Sequence, residues 1–518
     1  MNKLRIEIHP TGKVIYLTPG APLKDMLFQQ GVEFPCGGRG TCGKCKIKLL
    51  EGFLPPSEAD KALLTPAELE QGWRLACQAY VYHPIKIELA QWTFQFFIDL
   101  SPIKITPRPG IGIAVDIGTT TVVVQALDLE SGTLLCTKSA LNQQAKYGHD
   151  IISRLDHAIK HGAAALTQII RNQVGTMIKE ALIEVAQRSQ NKSHPVSNVV
   201  LVGNTVMHHL FCGLPVDSLA VLPFEPSDPG LKTFTARELG WTDSLPIEVR
   251  SLLPENTRVD FLPCIGGFVG SDILAGVLAT NIHSKDNYNA LVDLGTNGEI
   301  VIGMRGKLVC ASAAAGPAFE GGGISCGMRA VTGAISGVSL QNDQIKITVI
   351  GGDISPRGIC GSGLLDAIAV GLRLGIISTT GQLLVGEKWE LVPGIALTKQ
   401  DIREIQLAKA AIAAGFKILL RTLGIELRDL TAVHLAGAFG NYINPNSAVE
   451  TGLLPGPTSK IIQAGNTALL GAKLALYTPY DELTTLAQQI QHVALNTHPE
   501  FQDIFAEKML LVPCTRQN

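Results

Sequence analysis

The sequence has almost no net charge, no long apolar run and no Gly-x4-Gly-Lys-Ser/Thr nucleotide loop. Its formal net charge of −2 at pH 7 gives no reason to expect a nucleic-acid partner. No apolar run reaches the roughly 18 residues of a membrane span, and residues 110–124 are interrupted by Asp116 and by glycines. The first residues alternate like a strand and lack the apolar core of a signal peptide. We therefore expect a soluble, cytoplasmic protein with no nucleic-acid or membrane partner.

What is present is enough apolar sequence for several packed domains. Apolar residues make up 46% of the 518 residues and charged residues 17%, so a chain of this length should form more than one core. The chain also contains 11 cysteines. In a cytoplasmic protein, that number favours metal ligation over disulfide bonds.

Four cysteines near the start have the spacing of an iron–sulfur site. Cys36, Cys42 and Cys45 are separated by five and two residues, four glycines lie among them, and Cys77 follows far downstream. Glycines let the backbone wrap a small inorganic core. Zinc sites more often use two Cys-x2-Cys pairs, and only one such pair is present here. The spacing resembles that of adrenodoxin-like ferredoxins, so we predict a [2Fe-2S] cluster, with zinc or plain core cysteines as the alternatives.

The pattern around these cysteines predicts one small domain over residues 1–90. Alternating residues predict strands Leu4–His9, Lys13–Leu17 and Ile85–Leu89, and residues 22–30 favour a short helix. Residues 91–110 contain three prolines and are predicted to be a linker.

From residue 111 onward the sequence contains a weak internal repeat. Each copy opens with an apolar strand that runs into an Asp-x-Gly-Thr turn, at Asp116 and again at Asp293. Each copy then continues through strands and helices to a second apolar strand followed by glycine. Helices are predicted over residues 149–160, 166–188, 363–374 and 400–423. Two halves of the same order predict a duplicated α/β domain with its ligand between them.

The two Asp-x-Gly-Thr turns are candidate phosphate loops. Backbone amides and hydroxyls in such a turn can hold phosphate oxygens, and the leading aspartate can hold Mg²⁺ directly or through water. One such turn alone is a weak signal, whereas two that each open half of a repeat are a much stronger one. A third turn, residues 437–440, has small residues that allow a flat base or a ribose to approach closely.

With these three turns, residues 111–518 resemble the superfamily of actin, sugar kinases and heat-shock chaperone ATPases, in which two lobes close on Mg-ATP. The resemblance implies that Asp116 and Asp293 position Mg²⁺ and the attacking water. The residues implied to hold the phosphates are Gly118, Thr119, Thr120, Gly295, Thr296 and Asn297. Gly437 and Gly440 are implied to border the adenosine.

Combined with the cysteine domain, the whole chain resembles the reductive activators of corrinoid-dependent enzymes. Supporting stretches are residues 140–144, 147–150, 202–209, 314–321 and 358–363. The resemblance implies an α/β multidomain fold: a β-grasp ferredoxin-like [2Fe-2S] domain followed by a duplicated RNase H-like nucleotide-binding domain. It divides the remaining chain into a middle domain over 111–195 and a C-terminal ATPase domain over 196–518. Cys36, Cys42, Cys45 and Cys77 are the implied cluster ligands.

The activity that the resemblance implies is the ATP-dependent reduction of a protein-bound corrinoid from Co(II) to Co(I) in a methyltransferase system. The implied partners are that corrinoid protein and an upstream low-potential electron donor, and a homodimer is left open. Alternatives are an ATP-driven electron donor to another metalloenzyme of the dehydratase type, a non-catalytic redox and nucleotide sensor, and a small-molecule kinase. A kinase would have no use for the ferredoxin domain.

Several other residues have both a functional and an ordinary interpretation. The pair His208–His209 could approach a partner's cobalt, although one core and one surface histidine is the commoner arrangement. Glu320 could order the nucleotide's water or cap a turn, and Asp150 could cap a helix near the site. A second cluster is conceivable but no close cysteine pair supports it, so incidental burial is expected for Cys264, Cys310, Cys326 and Cys360.

Overall fold

The computed structural model describes residues 3–514 except 10–11, 30–31, 33, 35, 37, 44, 90–104, 149, 189–193, 244, 343, 353 and 441. Most of the predicted linker, residues 91–110, therefore lies outside the described residues. Among the helices of the described part, none is long and apolar enough to cross a membrane.

The first domain is built on a mixed five-stranded sheet in the order β2-β1-β7-β4-β5, in which β1 and β7 are parallel. Apolar side chains on one face of this sheet pack against the first helix, as the alternation of each strand requires. The strands are β1 Leu4–His9, β2 Lys13–Leu17, β3 Ala21–Pro22, β4 Lys46–Gly52, β5 Trp73–Leu75, β6 Tyr80–Val81 and β7 Ile85–Leu89. The helices are α1 Leu23–Gln29, α2 Glu58–Leu63, α3 Pro66–Glu70 and the 3-10 helix Ala76–Gln78.

The first lobe contains a six-stranded sheet in the order β10-β9-β8-β11-β13-β12. Its strands are β8 Ile111–Ile117, β9 Thr121–Asp128, β10 Leu134–Leu141, β11 Val196–Gly203, β12 Lys232–Thr235 and β13 Arg258–Phe261. Its helices are α4 Ile151–His161, α5 Ala164–Arg188, α6 Thr205–Cys212, α7 Ile247–Arg250 and α8 Ser271–Thr280, with 3-10 helices Gln143–Lys146, Asp217–Leu219 and Ile282–Ser284.

The second lobe contains a six-stranded sheet in the order β23-β22-β14-β15-β16-β24, with two smaller sheets beside it. Its strands are β14 Asn289–Leu294, β15 Gly298–Met304, β16 Lys307–Ala313, β17 Ala334–Gln341, β18 Gln344–Val349, β19 Gly358–Ile359, β20 Lys388–Val392, β21 Ile395–Thr398, β22 Ala432–Ala436, β23 Ile461–Gly465 and β24 Ile490–His492. Its helices are α9 Gly361–Arg373, α10 Lys399–Leu423, α11 Gly437–Gly440, α12 Pro445–Glu450, α13 Thr467–Ala475, α14 Tyr480–Gln489 and α15 Phe501–Glu507, with 3-10 helices Pro317–Glu320, Leu427–Asp429, Thr458–Lys460 and Leu495–Thr497.

The two large sheets repeat one design. In each, three consecutive antiparallel strands are followed across the sheet by two parallel ones, β10-β9-β8-β11-β13 in the first lobe and β16-β15-β14-β22-β23 in the second. This order confirms the predicted duplication of an RNase H-like domain. The predicted division between residues 195 and 196 falls inside the first sheet, because β11 pairs with β8 from Val196 onward.

Two helices exchange between the lobes and set their relative position. Helix α13, from the second half of the chain, packs on β8 and β11 of the first sheet and against α8. Helix α8, from the first half, contributes Ile273 and Val277 to a core shared with Leu291 of the second sheet. A Cβ atom on Gly471 would lie 1.9 Å from the carbonyl oxygen of Ala275, so the two helices meet backbone to backbone. This crossing lies at the floor of the space between the two sheets.

Candidate functional site

A cavity of about 360 Å³ lies between the lobes, within the size range of small-molecule sites. Strands β8 and β14 end at this cavity and lead into the two predicted phosphate loops. The predicted residues that line it are Asp116, Gly118, Thr119, Thr120, Asp293, Gly295, Thr296, Asn297 and Gly437. Gly440 is not among the lining residues, and a Cβ atom there would instead meet Leu435.

Four half-buried carboxyl groups converge on one side of this cavity. Asp116 and Asp293 end strands β8 and β14, Asp272 lies in the first turn of α8, and Glu299 lies on β15. Burial raises the pKa of Asp116 to about 6, and burial together with the charge of Asp116 raises the pKa of Asp293 to about 7. Burial followed by the charges of Asp293 and Asp116 raises the pKa of Asp272 to about 8, and similar causes raise the pKa of Glu299 well above its usual value. Like charges that share a site disfavour one another's ionised form, and a divalent cation relieves that repulsion.

Asp272 and Glu299 were not predicted from the sequence as site residues. A single aspartate in an apolar helix has no spacing signal of its own, and Glu299 is recognisable only as the end of the second Asp-x-Gly-Thr turn. Their hydrogen bonds are local: the Ile273 amide donates to Asp272 at 2.9 Å, and the Ser312 hydroxyl donates to Glu299 at 3.2 Å. Asn466, which caps α13, donates to Asp116 at 3.2 Å and also lines the cavity.

The first phosphate loop is held by one hydrogen bond within the turn and by one from the side chain of Asn204. The Gly118 amide donates to the Thr121 carbonyl at 2.9 Å, which closes the turn between β8 and β9. The side chain of Asn204 donates to the Thr119 hydroxyl at 2.9 Å. The second loop closes in the same way, with the Gly295 amide donating to the Asn297 carbonyl at 3.0 Å. Both loops therefore keep a fixed shape.

The second phosphate loop also contacts Glu320, whose carboxylate accepts a hydrogen bond from the Thr296 hydroxyl at 2.7 Å. Arg329 lies 3.6 Å from the same carboxylate, and both residues line the cavity. Glu320 thus lines the cavity and contacts the second phosphate loop.

The third predicted turn places an aromatic wall in the cavity. Phe439 of α11 stacks on Phe319 with ring centroids 4.6 Å apart and an angle of 19° between the planes. Gly437 has φ +86°, and a Cβ atom there would lie 2.4 Å from a carboxylate oxygen of Asp293. Only glycine permits the turn to approach the second phosphate loop this closely.

In the first domain none of the four predicted cysteines forms a disulfide bond, and Cys45 and Cys77 belong to the core beneath the sheet. Their mutual hydrogen bonds join them as two pairs, Cys36 with Cys42 and Cys45 with Cys77. In the described part of the chain, no three or more His, Cys, Asp or Glu side chains are arranged to hold a single metal ion. Two pairs of thiols fit a two-iron cluster, in which each iron takes two protein ligands.

Backbone amides already point at these sulfurs. Burial acts to raise the pKa of Cys36, but hydrogen bonds from the amides of Thr41 and Gly40 and from Cys42 outweigh it and lower that pKa to about 7. The hydrogen bond from Cys45 lowers the pKa of Cys77 to about 6, and the same bond raises the pKa of Cys45. Thiolates stabilised by amides are the form that ligates iron, so the residues present fit a [2Fe-2S] cluster.

The alternative functional residues fall elsewhere. His208 and His209 are both fully buried, so the expectation of one surface histidine was wrong, and neither ring is accessible to a partner's cobalt. Asp150 caps α4 by accepting the Ser153 amide at 2.6 Å. Cys264, Cys310 and Cys360 are buried and Cys326 is half-buried.

Three family models match the chain in succession. Residues 6–82 match a 2Fe-2S iron-sulfur cluster binding domain, residues 111–285 the RACo middle region, and residues 287–517 the C-terminal domain of RACo, the ASKHA domain. The predicted ferredoxin domain and the predicted actin and sugar-kinase-like domain are thereby confirmed.

Two known proteins and one solved structure resemble this chain over most of its length. The chain is 36% identical over 438 residues to the corrinoid activation enzyme RamQ of Eubacterium limosum, covering 79% of this chain and 71% of the relative. It is 28% identical over 427 residues to the Co(II) methylated amine-specific corrinoid protein reductase of Methanosarcina barkeri, covering 76% of each chain. The solved structure of a reductive activator for corrinoid, iron-sulfur protein covers 98% of each chain at 28% identity and a TM-score of 0.63. The chain belongs to the RACo family, in which a 2Fe-2S domain is joined to a middle region and a C-terminal ASKHA domain.

Proposed function

We propose that this protein is an ATP-dependent reductive activator of a corrinoid protein in a methyltransferase system, returning its cobalt from Co(II) to Co(I). The observation that supports the proposal most is the presence, in one chain, of a two-pair cysteine site and a two-lobed cavity lined by carboxylates. The relatives named as a corrinoid activation enzyme and as a Co(II) corrinoid protein reductase support the same substrate.

In this proposal Cys36, Cys42, Cys45 and Cys77 hold a [2Fe-2S] cluster. When bound, the cluster supplies single electrons at low potential, of order −400 mV for plant-type sites. The amides of Gly40 and Thr41 donate to the ligand sulfurs, which stabilises negative charge there. An external low-potential donor reloads the cluster, and a homodimer stays a prediction.

The carboxylates of the cavity bind Mg-ATP in this proposal. ATP is an anion and the four converging carboxyls would repel it, so a divalent cation between them is needed. Asp116 and Asp293 would position Mg²⁺ and the attacking water, and Asp272 and Glu299, which line the same cavity, would hold waters of the metal. Mg²⁺ in phosphate-binding sites commonly takes one or two carboxylates and completes its shell with waters and phosphate oxygens.

The two phosphate loops hold the phosphates from opposite lobes. Gly118, Thr119 and Thr120 belong to the first lobe, and Gly295, Thr296 and Asn297 to the second. The adenosine lies against Gly437 and the wall formed by Phe319 and Phe439. A ligand held from both sides favours closure of the lobes, which is the bistable element that hydrolysis can reset.

ATP is needed because Co(II) is harder to reduce than a typical ferredoxin. For one electron, each 59 mV of unfavourable potential costs about 1.4 kcal/mol. A change in lobe closure that alters a cobalt ligand or its exposure in the bound partner can raise the cobalt potential, and hydrolysis can release the reduced product.

The test is an anaerobic mixture of the reduced protein with a Co(II) corrinoid protein of a methylamine methyltransferase system. The absorption band of Co(I) is followed with ATP, with ADP and without nucleotide. We expect the band to grow with Mg-ATP and to stay near the baseline otherwise. Asp293→Asn should reduce ATP hydrolysis by at least about a hundredfold, because a charge that positions the attacking water is lost.

Asp286→Asn is the matched control, because Asp286 lies in the same lobe, is exposed and pairs with Arg305 away from the cavity. It should behave as the unmodified protein. Absence of Co(I) with several corrinoid partners, despite an intact cluster and bound ATP, would overturn the proposal and favour another metalloenzyme as the client. Full cobalt reduction by Asp293→Asn without hydrolysis would contradict the coupling.

A further inference from the structure

Arg154 is a buried cation that lies behind the first phosphate loop. It belongs to the first turn of α4, and its side chain is 0% exposed. Within the described part of the chain, the hydrogen-bond partners of its guanidinium are neutral: the carbonyls of Thr119 and Gly148, the amide oxygen of Gln144 and the sulfur of Met207. Burial of a charge is costly, and here it lowers the pKa of Arg154 to about 9, although the charge of Asp150 acts in the opposite direction.

Three consecutive backbone carbonyls of the first phosphate loop accept hydrogen bonds from Asn142 and Arg154. The side chain of Asn142 donates to Gly118 at 2.9 Å, Arg154 donates to Thr119 at 2.5 Å, and the Asn142 amide donates to Thr120 at 2.8 Å. In a trans peptide the N–H points opposite to the C=O. With its carbonyls held from behind, the loop directs the N–H groups that follow them to the other side, which is the side of the cavity.

The cavity has few other positive charges to offer an anion. Among the described lining residues Arg329 is the one basic side chain. The acidic ones are Asp116, Asp272, Asp293, Glu299 and Glu320. Arg329 is already 3.6 Å from Glu320. Arg154 does not line the cavity, but its guanidinium donates to the Thr119 carbonyl of the first loop, so it is a further cation close to the cavity.

We propose that Arg154 is a positioning residue for the nucleotide phosphates: with Asn142 it orients the amides of the first phosphate loop, and its charge stabilises the phosphates across that loop. This rests on the proposed use of the cavity for ATP. The phosphates would place an anion near a guanidinium whose hydrogen-bond partners are all neutral. Electrostatic interactions across a low-dielectric layer are screened less than those at a surface.

If Arg154 only supports the fold, its substitution should have a different effect on ligand binding than if it positions the phosphates. A structural residue supports the fold of the first lobe, so its loss weakens the binding of every ligand of the cavity together. A positioning residue acts on the phosphates, so its loss weakens ATP and ADP and spares adenosine, which contacts the second lobe. The three ligands therefore separate the two roles.

The experiment measures equilibrium binding of ATP, ADP and adenosine to the full-length protein carrying Arg154→Met, with Mg²⁺ present. We expect ATP affinity to fall at least tenfold, ADP affinity to fall less, and adenosine affinity to stay within about twofold. Arg154→Lys should recover part of the ATP affinity, because it restores the charge but not the four hydrogen bonds of the guanidinium. The KM for ATP should rise more than kcat falls.

Arg171→Met is the matched control. Arg171 lies on α5 of the same lobe, donates to the Phe211 carbonyl at 2.7 Å, and has no contact with the loop. It should lower the melting temperature without changing nucleotide selectivity. If Arg154→Met does not fold, Asn142→Ala tests the same backing and should show the same selective loss.

Equal weakening of all three ligands, or unchanged ATP affinity in a folded Arg154→Met protein, would overturn the proposal. These readouts do not use cobalt. Failure of the unmodified protein to reduce Co(II) while it binds ATP would count against the proposed function alone, and an unselective Arg154→Met would count against the role of Arg154 alone.

Discussion

The carboxyl groups of the cavity lie close enough for their charges to interact. Burial raises the pKa values of Asp116, Asp272 and Asp293, and neighbouring carboxylate charges add to the rise at Asp272 and at Asp293. Binding of a divalent cation reverses that balance and ionises the group as a unit. At the scale of single residues, this electrostatic cost agrees with the proposed binding of a divalent cation together with the nucleotide.

Cys42 tests the cluster site at the same scale. Cys42→Ser replaces a soft thiolate ligand by a hydroxyl, so we expect loss or conversion of the visible absorption and EPR signals of the [2Fe-2S] cluster. Electron transfer to cobalt should fall at least about a hundredfold while ATP affinity stays unchanged. Cys326→Ser is the control, since Cys326 lies half-buried in the nucleotide domain. An unchanged cluster spectrum in Cys42→Ser would remove Cys42 from the ligand set.

At the scale of elements, α11 depends on a single glycine. A Cβ atom on Gly437 would lie 2.4 Å from Asp293 and 2.5 Å from the Leu294 carbonyl. Gly437→Ala should therefore displace the second phosphate loop and reduce ATP hydrolysis at least about tenfold, measured by phosphate release, with the cluster spectrum intact. Gly424→Ala is the control: Gly424 has a similar φ of +69° but nothing lies within 4 Å, so only the strain of about 1 kcal/mol remains. Equal activities of both variants would contradict the steric argument.

Helix α6 carries a buried pH-sensitive pair. The Nδ1 atoms of His208 and His209 lie 3.4 Å apart, and burial followed by the charge of His209 lowers the pKa of His208 to about 3. Burial also lowers the pKa of His209, and Asp228 and Lys232 are the charged groups that act on both rings. The folded protein therefore keeps His208 neutral in a pH range where the unfolded chain protonates it.

That difference predicts acid sensitivity with a defined sign. As the pH falls below about 6.5, the unfolded chain binds a proton at His208 that the folded protein does not, so stability falls by about 2 kcal/mol by pH 5. Urea unfolding at pH 7 and pH 5 measures this loss. His208→Gln should reduce it, whereas His161→Gln, at an exposed position on α4, should not. An equal pH dependence in both variants would exclude His208 as the cause.

At the scale of the molecule, the ferredoxin domain contacts both lobes. The Lys146 ammonium of the first lobe lies 5.3 Å from the ring centroid of Phe28, and Arg357 of the second lobe forms an ion pair with Glu88. Lys146 ends the 3-10 helix that follows Asn142, the residue that backs the first phosphate loop. Movement of one lobe relative to the other must therefore alter at least one of these contacts.

Arg357→Ala tests this bridge. An ion pair at the surface contributes at most about 1 kcal/mol, so we expect up to about a fivefold shift toward undocked ferredoxin domain. Small-angle scattering should show a larger radius of gyration. Arg305→Ala, which removes an exposed ion pair with Asp286 on the same lobe, is the control. An unchanged radius in Arg357→Ala would show that other contacts hold the domain.

Local pattern predicted much of the fold. Strands Leu4–His9, Lys13–Leu17 and Ile85–Leu89 match their predicted bounds, and the helix predicted over 400–423 is Lys399–Leu423. These segments are regular because alternation and 3.6-residue periodicity are properties of the chain itself. The domain boundary predicted between residues 195 and 196 falls at the start of β11, which pairs with β8 in the same sheet. Local sequence patterns do not show which distant strands pair with one another.

The sequence by itself determined the predictions of the cysteine site and of the two phosphate loops. Each was predicted from the types and the spacing of a few residues in the sequence. Only the tertiary structure brought Asp272 and Glu299 to the cavity and Arg154 behind the first phosphate loop. These residues come from a helix, a strand and another helix far apart in the chain, and each alone is an ordinary charged residue. The exchange of α8 and α13 between the lobes brings distant segments together and buries their side chains. Because burial removes water from around these charges, they interact more strongly than they would at the surface.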